Sequence, residues 1–135
     1  MTLVVDASVA VRWCFPLDRS DLADNVLRSG ERLVAPDLVL AELTNAAWKV
    51  VTFGGGAADL TRAMIRTVER TFDELVPCAA LKDLALEMAI ELRHPAYDCF
   101  YLALAQVRGI QLVTADDRLL RQCTGTPMSA SSMAG

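Results

Sequence analysis

Short apolar, β-branched runs recur along this chain, each closed by a polar or small residue. Leu3 to Val5 ends in Asp6, Leu33 to Ala35 in Pro36 and Asp37, and Gln111 to Thr114 in Ala115 and Asp116; Leu75 to Cys78 is similar. Brief runs with little polar alternation are the pattern of strands buried on both faces. Between them the spacing becomes helical: Leu60, Met64, Val68 and Phe72 form one stripe, and Leu81, Leu84, Ala85, Met88 and Leu92 another. Pro36 and Asp37 suit the first turn of a further helix reaching about Phe53, where Gly54, Gly55 and Gly56 stop it. These glycines are read as an inter-helix turn, since a phosphate loop needs a preceding strand and a following Lys with Ser or Thr. From Pro95 a helix runs through Ala-Tyr-Asp-Cys-Phe-Tyr-Leu-Ala-Leu-Ala-Gln, apolar nearly all round and therefore central.

Buried strands alternating with helices imply an α/β fold. Right-handed crossovers would wind it into a three-layer α/β/α sandwich with a central parallel sheet of four or five short strands. The 135 residues are expected to form a single domain, 1–135. Thr124 to Gly135 is small and polar enough to hold at most a last edge strand and a frayed end, with about the last ten residues disordered.

Composition narrows the class. Hydrophobic residues make up 53% of the chain, enough for a real core, yet no apolar run approaches the roughly 18 to 20 residues that cross a bilayer. The amino terminus lacks the pattern of a secretion signal, so a cytoplasmic location and no membrane partner are expected. Cys14, Cys78, Cys99 and Cys123 are too dispersed for a zinc site and read as reduced core thiols. Thirteen Lys and Arg against seventeen Asp and Glu give a net charge of -4. A polyanion would therefore have to be held locally, by cations and a few basic side chains, rather than by the overall field.

Four acids stand out against this background. Asp6 is enclosed by apolar sequence; at the carboxyl end of a central parallel strand it would face the crevice where open α/β sheets bind ligands. Helix capping by Asp6 or Ser8 is the competing reading. Glu42, Asn45 and Lys49 share one polar stripe, which on its own is a solvated face. Asp98 is the one formal charge in the body of the apolar helix, and a buried carboxylate must be protonated, paired or bound to a cation unless it caps the helix. Asp116 lies just past a strand, where it or Asp117 can also cap the short helix through Leu119 and Leu120. Two carboxylates about 4 Å apart repel by roughly 4 kcal/mol at an effective dielectric near 20, so a cluster of four demands cations. Oxygen-only ligands suit Mg²⁺, or Mn²⁺; His94, the sole histidine, reads as a loop residue before Pro95.

At these residues the chain resembles the PIN-domain family, and within it the VapC-type toxin ribonucleases. The resemblance is carried by Val-Val-Asp-Ala-Ser-Val-Ala-Val at 4 to 11, Ala-Pro-Asp-Leu-Val-Leu-Ala-Glu-Leu-Thr-Asn-Ala at 35 to 46, Ala-Tyr-Asp-Cys-Phe-Tyr-Leu-Ala-Leu-Ala at 96 to 105 and Leu-Val-Thr-Ala-Asp-Asp-Arg-Leu-Leu at 112 to 120. It implies a metal-dependent endoribonuclease with Asp6, Glu42, Asp98 and Asp116 as its catalytic, metal-holding quartet. Ser8, Asn45 and Thr114 are implied as accompanying polar positions, with Asp117 able to assist. The expected chemistry is hydrolysis of RNA phosphodiesters by metal-activated water, leaving a 5′-phosphate and a 3′-hydroxyl. Also implied are a homodimer and a cognate antitoxin covering the acidic crevice. Arg12, Lys49, Arg93 and Arg118 are candidates for gripping RNA phosphates, while Trp13, Trp48, Phe100 and Tyr101 read as core or interface.

Other functional classes fit the residues less well. A haloacid-dehalogenase phosphatase needs a second Asp where Ser8 stands. A Mg²⁺-binding regulatory domain of the receiver kind wants paired acids after the first strand. A catalytically silent PIN-fold interaction module remains as the alternative.

Overall fold

A computed structural model describes residues 1–123 and 130–133. Strands β1 (Thr2–Val5), β2 (Arg32–Pro36), β3 (Glu74–Val76), β4 (Gln111–Thr114) and β5 (Ala130–Ser132) form one sheet in the order β3-β2-β1-β4-β5, with every neighbouring pair parallel. The helices are α1 (Ala7–Cys14), α2 (Ser20–Leu27), α3 (Leu38–Phe53), α4 (Ala58–Thr71), α5 (Lys82–Leu92), α6 (Ala96–Arg108) and α7 (Asp117–Cys123).

Parallel neighbours require crossovers, and right-handed ones place α1 to α4 on one face and α5 to α7 on the other. Consistent with this, α6 packs on β1, β2 and β4 with α5 against it, while α1 and α3 reach the sheet at β4 and β2. The three-layer parallel arrangement is the one the hydrophobic pattern implied. Val4 and Val5 are both fully buried, which is why their run shows no polar alternation. The apolar helix is central as expected: Cys99 and Tyr101 to Ala105 are buried.

Several local expectations change. Pro36 is the last residue of β2 rather than part of a helical turn; Asp37 is the N-cap position and α3 starts at Leu38. A proline tolerates a strand end, where no ladder bond needs its missing N–H. Cys78 falls outside β3, which stops before Pro77, and opens a 3₁₀ turn at Cys78–Ala80. Leu60 is exposed in the first turn of α4, so the buried stripe there rests on Thr61 and Val68. Helix α2 has no counterpart in the hydrophobic pattern, since only Ala23 and Val26 of its eight residues are buried.

Gly54 to Gly56 separate α3 from α4, and Gly55 needs its freedom because its φ is +70°. None of the four cysteines forms a disulfide; Cys14, Cys99 and Cys123 are buried and Cys78 partly so. The last edge strand is β5, whereas the rest of the tail expected to fray, 124–129 and 134–135, lies outside the described residues. Among the described residues no helix is long and apolar enough to cross a membrane.

The chain leaves β1 towards β2 on one side, while β4 pairs on the other. The carboxyl ends of β1 and β4 therefore flank the topological switch point, where a crevice opens in sheets of this kind.

Candidate active site

Strand register builds the first half of the site. Val5 pairs with Val113, which sets Asp6 beside Thr114 at the switch point. The Thr114 hydroxyl donates to Asp6 Oδ2; Ser8 Oγ donates to Oδ1 at 2.5 Å, and the Val9 N–H reaches Oδ1 at 3.2 Å. Ser8 Oγ accepts the Ala115 N–H at 2.8 Å, and Thr114 Oγ1 accepts the Asp116 N–H at 3.0 Å. Asp6 thus caps α1 and also ties β1 to β4. It is 3% exposed, and burial pushes its carboxyl up to about 6; its hydrogen-bond donors oppose the rise and nearby Asp98 adds to it.

Helix α6 carries the second half. Asp98 lies in its first turn, yet the backbone cap there is Pro95 with no side-chain bond, so Asp98 is not serving as the cap. Its Oδ2 instead meets His94 Nε2 at 2.5 Å. Helix α5 ends at Arg93 in the left-handed region, φ +51°, and the His94 N–H turns back to Ala89 O at 3.2 Å. That turn sends the imidazole inward: the His94 side chain is 1% exposed, and its Nδ1 has no hydrogen-bond partner. Three residues beyond Asp98, the buried Tyr101 hydroxyl donates to Glu42 Oε1 of α3 at 2.6 Å. Burial raises the Glu42 carboxyl above its usual range, against the Tyr101 bond, and Asp98 contributes to the rise. Burial and Glu42 together hold the Tyr101 phenol far above its ordinary value.

Asp116 acts differently. Its Oδ1 accepts the Arg118 N–H at 2.9 Å and the Leu119 N–H at 3.4 Å, so it caps α7. Asp117 is exposed, 3.8 Å from the Arg19 guanidinium, which also donates to Ala115 O at 2.8 Å. Arg19 is itself held at φ +59°.

Asp98 acts electrostatically on both Asp6 and Glu42, and no Lys or Arg pairs with any of the three among the described residues. These oxygens suit a hard divalent cation in kind. They are not gathered into a closed shell, since among the described residues no three His, Cys, Asp or Glu side chains form a group able to hold a metal ion.

Beside the acids lies a cleft of about 580 Å³, lined by Ser8, Glu42, Asn45, Lys49 and Tyr97 against an apolar wall including Val11. The stripe of Glu42, Asn45 and Lys49 therefore faces this cleft. Arg12 is largely committed elsewhere: it donates to Ser8 O at 2.5 Å and Asp18 O at 2.8 Å and pairs with the Asp18 carboxylate at 3.0 Å. Arg93, Arg118 and Lys49 are exposed. The sequence reading did not mark His94 as a partner of Asp98, nor the Tyr101 bond to Glu42, nor Arg19. The Tyr101 bond had one weak signal, the helical spacing of three residues from Asp98; His94, which precedes the helix, and Arg19 had none.

A five-stranded parallel α/β sandwich with acidic side chains at its switch point matches a known class: the chain belongs to the PIN domain family, whose model covers residues 3–124. It is 31% identical to "Ribonuclease VapC3" of Pyrobaculum aerophilum over 121 residues, 88% of this chain and 92% of that protein. Among solved structures it is similar to PAE2754 from the same organism, with 25% identity, a TM-score of 0.75, and coverage of 99% of this chain and 85% of that one. The fold is also shared with VapBC2 from Rickettsia felis, solved bound to a DNA fragment from its promoter. There the TM-score is 0.68 at 12% identity, covering 98% of each chain.

Proposed function

We propose that this protein is a metal-dependent endoribonuclease and the toxin of a toxin–antitoxin pair. The observation that carries this reading is the buried Asp6 carboxylate, raised in pKa and sharing the field of Asp98, which also acts on Glu42; among the described residues no Lys or Arg pairs with any of the three, and only the His94 imidazole meets Asp98. Such a set is short of positive charge, and a divalent cation is the ligand its oxygens favour. The ribonuclease name of the 31% identical relative agrees.

Asp6, Asp98, Asp116 and Glu42 would hold Mg²⁺ or Mn²⁺, which when bound supplies charge neutralisation at a phosphodiester and acidifies water. The chain's own part is to aim the oxygens. Ser8 and Thr114 fix both oxygens of Asp6, His94 fixes Asp98, and Tyr101 fixes Glu42. Asn45 stands at the cleft, and Asp117 follows Asp116 in the chain and would assist it from the surface beside Arg19. Lys49, Arg93 and Arg118 are free to meet RNA phosphates, and Arg12 less so.

The partner of the toxin would be a cognate antitoxin, and the active form a homodimer. Toxin–antitoxin complexes among the structural neighbours, including one from Klebsiella pneumoniae, support the pairing. A largely apolar groove of about 420 Å³ between α3 and α4, with Trp48 and Ile65 in its lining, suits an antitoxin segment.

Cleavage of single-stranded and structured RNA by the wild type, Asp6→Asn and Asp98→Asn, with Mg²⁺ and with EDTA, tests the reading. Activity is expected only from the wild type with metal; undiminished cutting by both variants, or in EDTA, would overturn it. The acids' lack of a closed ligand shell favours a second reading, a silent PIN-fold interaction module, for which no condition would yield cleavage.

A further inference from the structure

We propose that the cleft beside Glu42 is a subsite for one unpaired nucleobase flanking the scissile phosphate, with Tyr97 as its stacking platform. The inference rests on the ribonuclease reading and specifies the substrate: RNA whose base can be turned out of a helix.

Three observations converge on it. Tyr97 immediately precedes Asp98 and is 66% exposed, although it lines the cleft. Among the described residues its ring stacks on no other ring and its hydroxyl has no hydrogen-bond partner, so neither interaction accounts for an aromatic there. The cleft is continuous with the acids through Glu42 and Ser8, and its volume of about 580 Å³ lies in the range of small-ligand sites.

The lining separates by chemistry. Val11, Leu38 and Leu43 offer an apolar wall that suits the face of a base rather than a phosphate. Asn45 can read a base edge, and Lys49, the only cation of the lining among the described residues, can meet the adjoining phosphate. Aromatic platforms of this kind take any base by its π-face, and unpaired loops are where RNA offers one. A continuous duplex keeps its bases stacked and would leave the subsite empty.

The test begins by mapping the bond that the wild type cuts in a single-stranded RNA with Mg²⁺, then placing an abasic residue on either side of it. On one side the abasic residue should raise KM about tenfold with little change in kcat, the scale of one lost base stack. Tyr97→Ala should do the same and Tyr97→Trp should not. Combining Tyr97→Ala with the abasic RNA should add no further loss, a coupling that a merely structural residue would not show. In EDTA, 2-aminopurine at the sensitive position should be quenched on binding the wild type but not Tyr97→Ala.

Losses that simply add, or KM values indifferent to Tyr97 and to both flanking bases, would remove the subsite while leaving the nuclease reading intact. Equal cleavage of a continuous duplex would do likewise. If the wild type cuts no RNA, both readings fall.

Discussion

A carboxyl held near 6 in the folded, metal-free protein returns to about 3.8 when the chain unfolds. Between those values the folded state keeps a proton that the unfolded state releases, so stability falls as pH rises through the window and levels off above it. Two pH units correspond to about 3 kcal/mol. Asp6→Asn should therefore melt above the wild type at pH 7.5 in EDTA, with the gap closing as pH approaches 4. A lower melting temperature for the variant throughout would mean that the bonds from Ser8, Thr114 and Val9 outweigh the cost of burial. Tyr101→Phe removes the donor to a partly buried Glu42 carboxylate, and should cost about 1 to 3 kcal/mol in urea denaturation. The burial of Asp6 was legible because a charge inside an apolar run has few structural explanations. The partners of the acids were not, since Thr114 is 108 residues from Asp6 and Tyr101 is 59 from Glu42, and such separations have no local pattern.

At the level of elements, helix ends control where the site's side chains point. Helices α5 and α6 close with the same left-handed turn, through Arg93 in one and Gly109 in the other. A Cβ at Gly109 would meet nothing within 4 Å, so Gly109→Ala should cost only backbone strain, about 1 kcal/mol. The reciprocal change, Arg93→Gly, relieves that strain and should raise the melting temperature while His94 keeps its approach to Asp98. If Arg93 grips phosphate, RNA affinity falls in the same variant and its salt dependence weakens. Helices with long apolar stripes or glycine stops could be read from the chain. Helix α2 could not, because two buried residues in one short element leave no period to detect. The boundary at Pro36 was misplaced because proline suits both a first helical turn and a strand end.

For the whole molecule, alternating strands and helices made a parallel sheet and two helical layers legible, but the order β3-β2-β1-β4-β5 is a tertiary fact. That order brings residues from both ends of the chain to one crevice. A cation bound there stabilises only the folded state, by about 2.7 kcal/mol at a hundred times its Kd. If the acids hold Mg²⁺ as proposed, calorimetry should show it raising the wild-type melting temperature by several degrees and barely moving Asp98→Asn. An equal rise in both would place the cation elsewhere. The gap between acids that share a field and acids that form a closed shell is also a property of the whole fold, and spacing along the chain carries no trace of it.

The bond from Thr114 to Asp6 sets a timetable for synthesis. Asp6 leaves the ribosome well before β4, and its strand gains that neighbour only when residues 111–114 have also emerged. A nascent chain arrested before that point lacks one wall of the crevice and one of the Asp6 donors. On the proposed reading, a nascent chain therefore lacks the assembled crevice until β4 has joined β1.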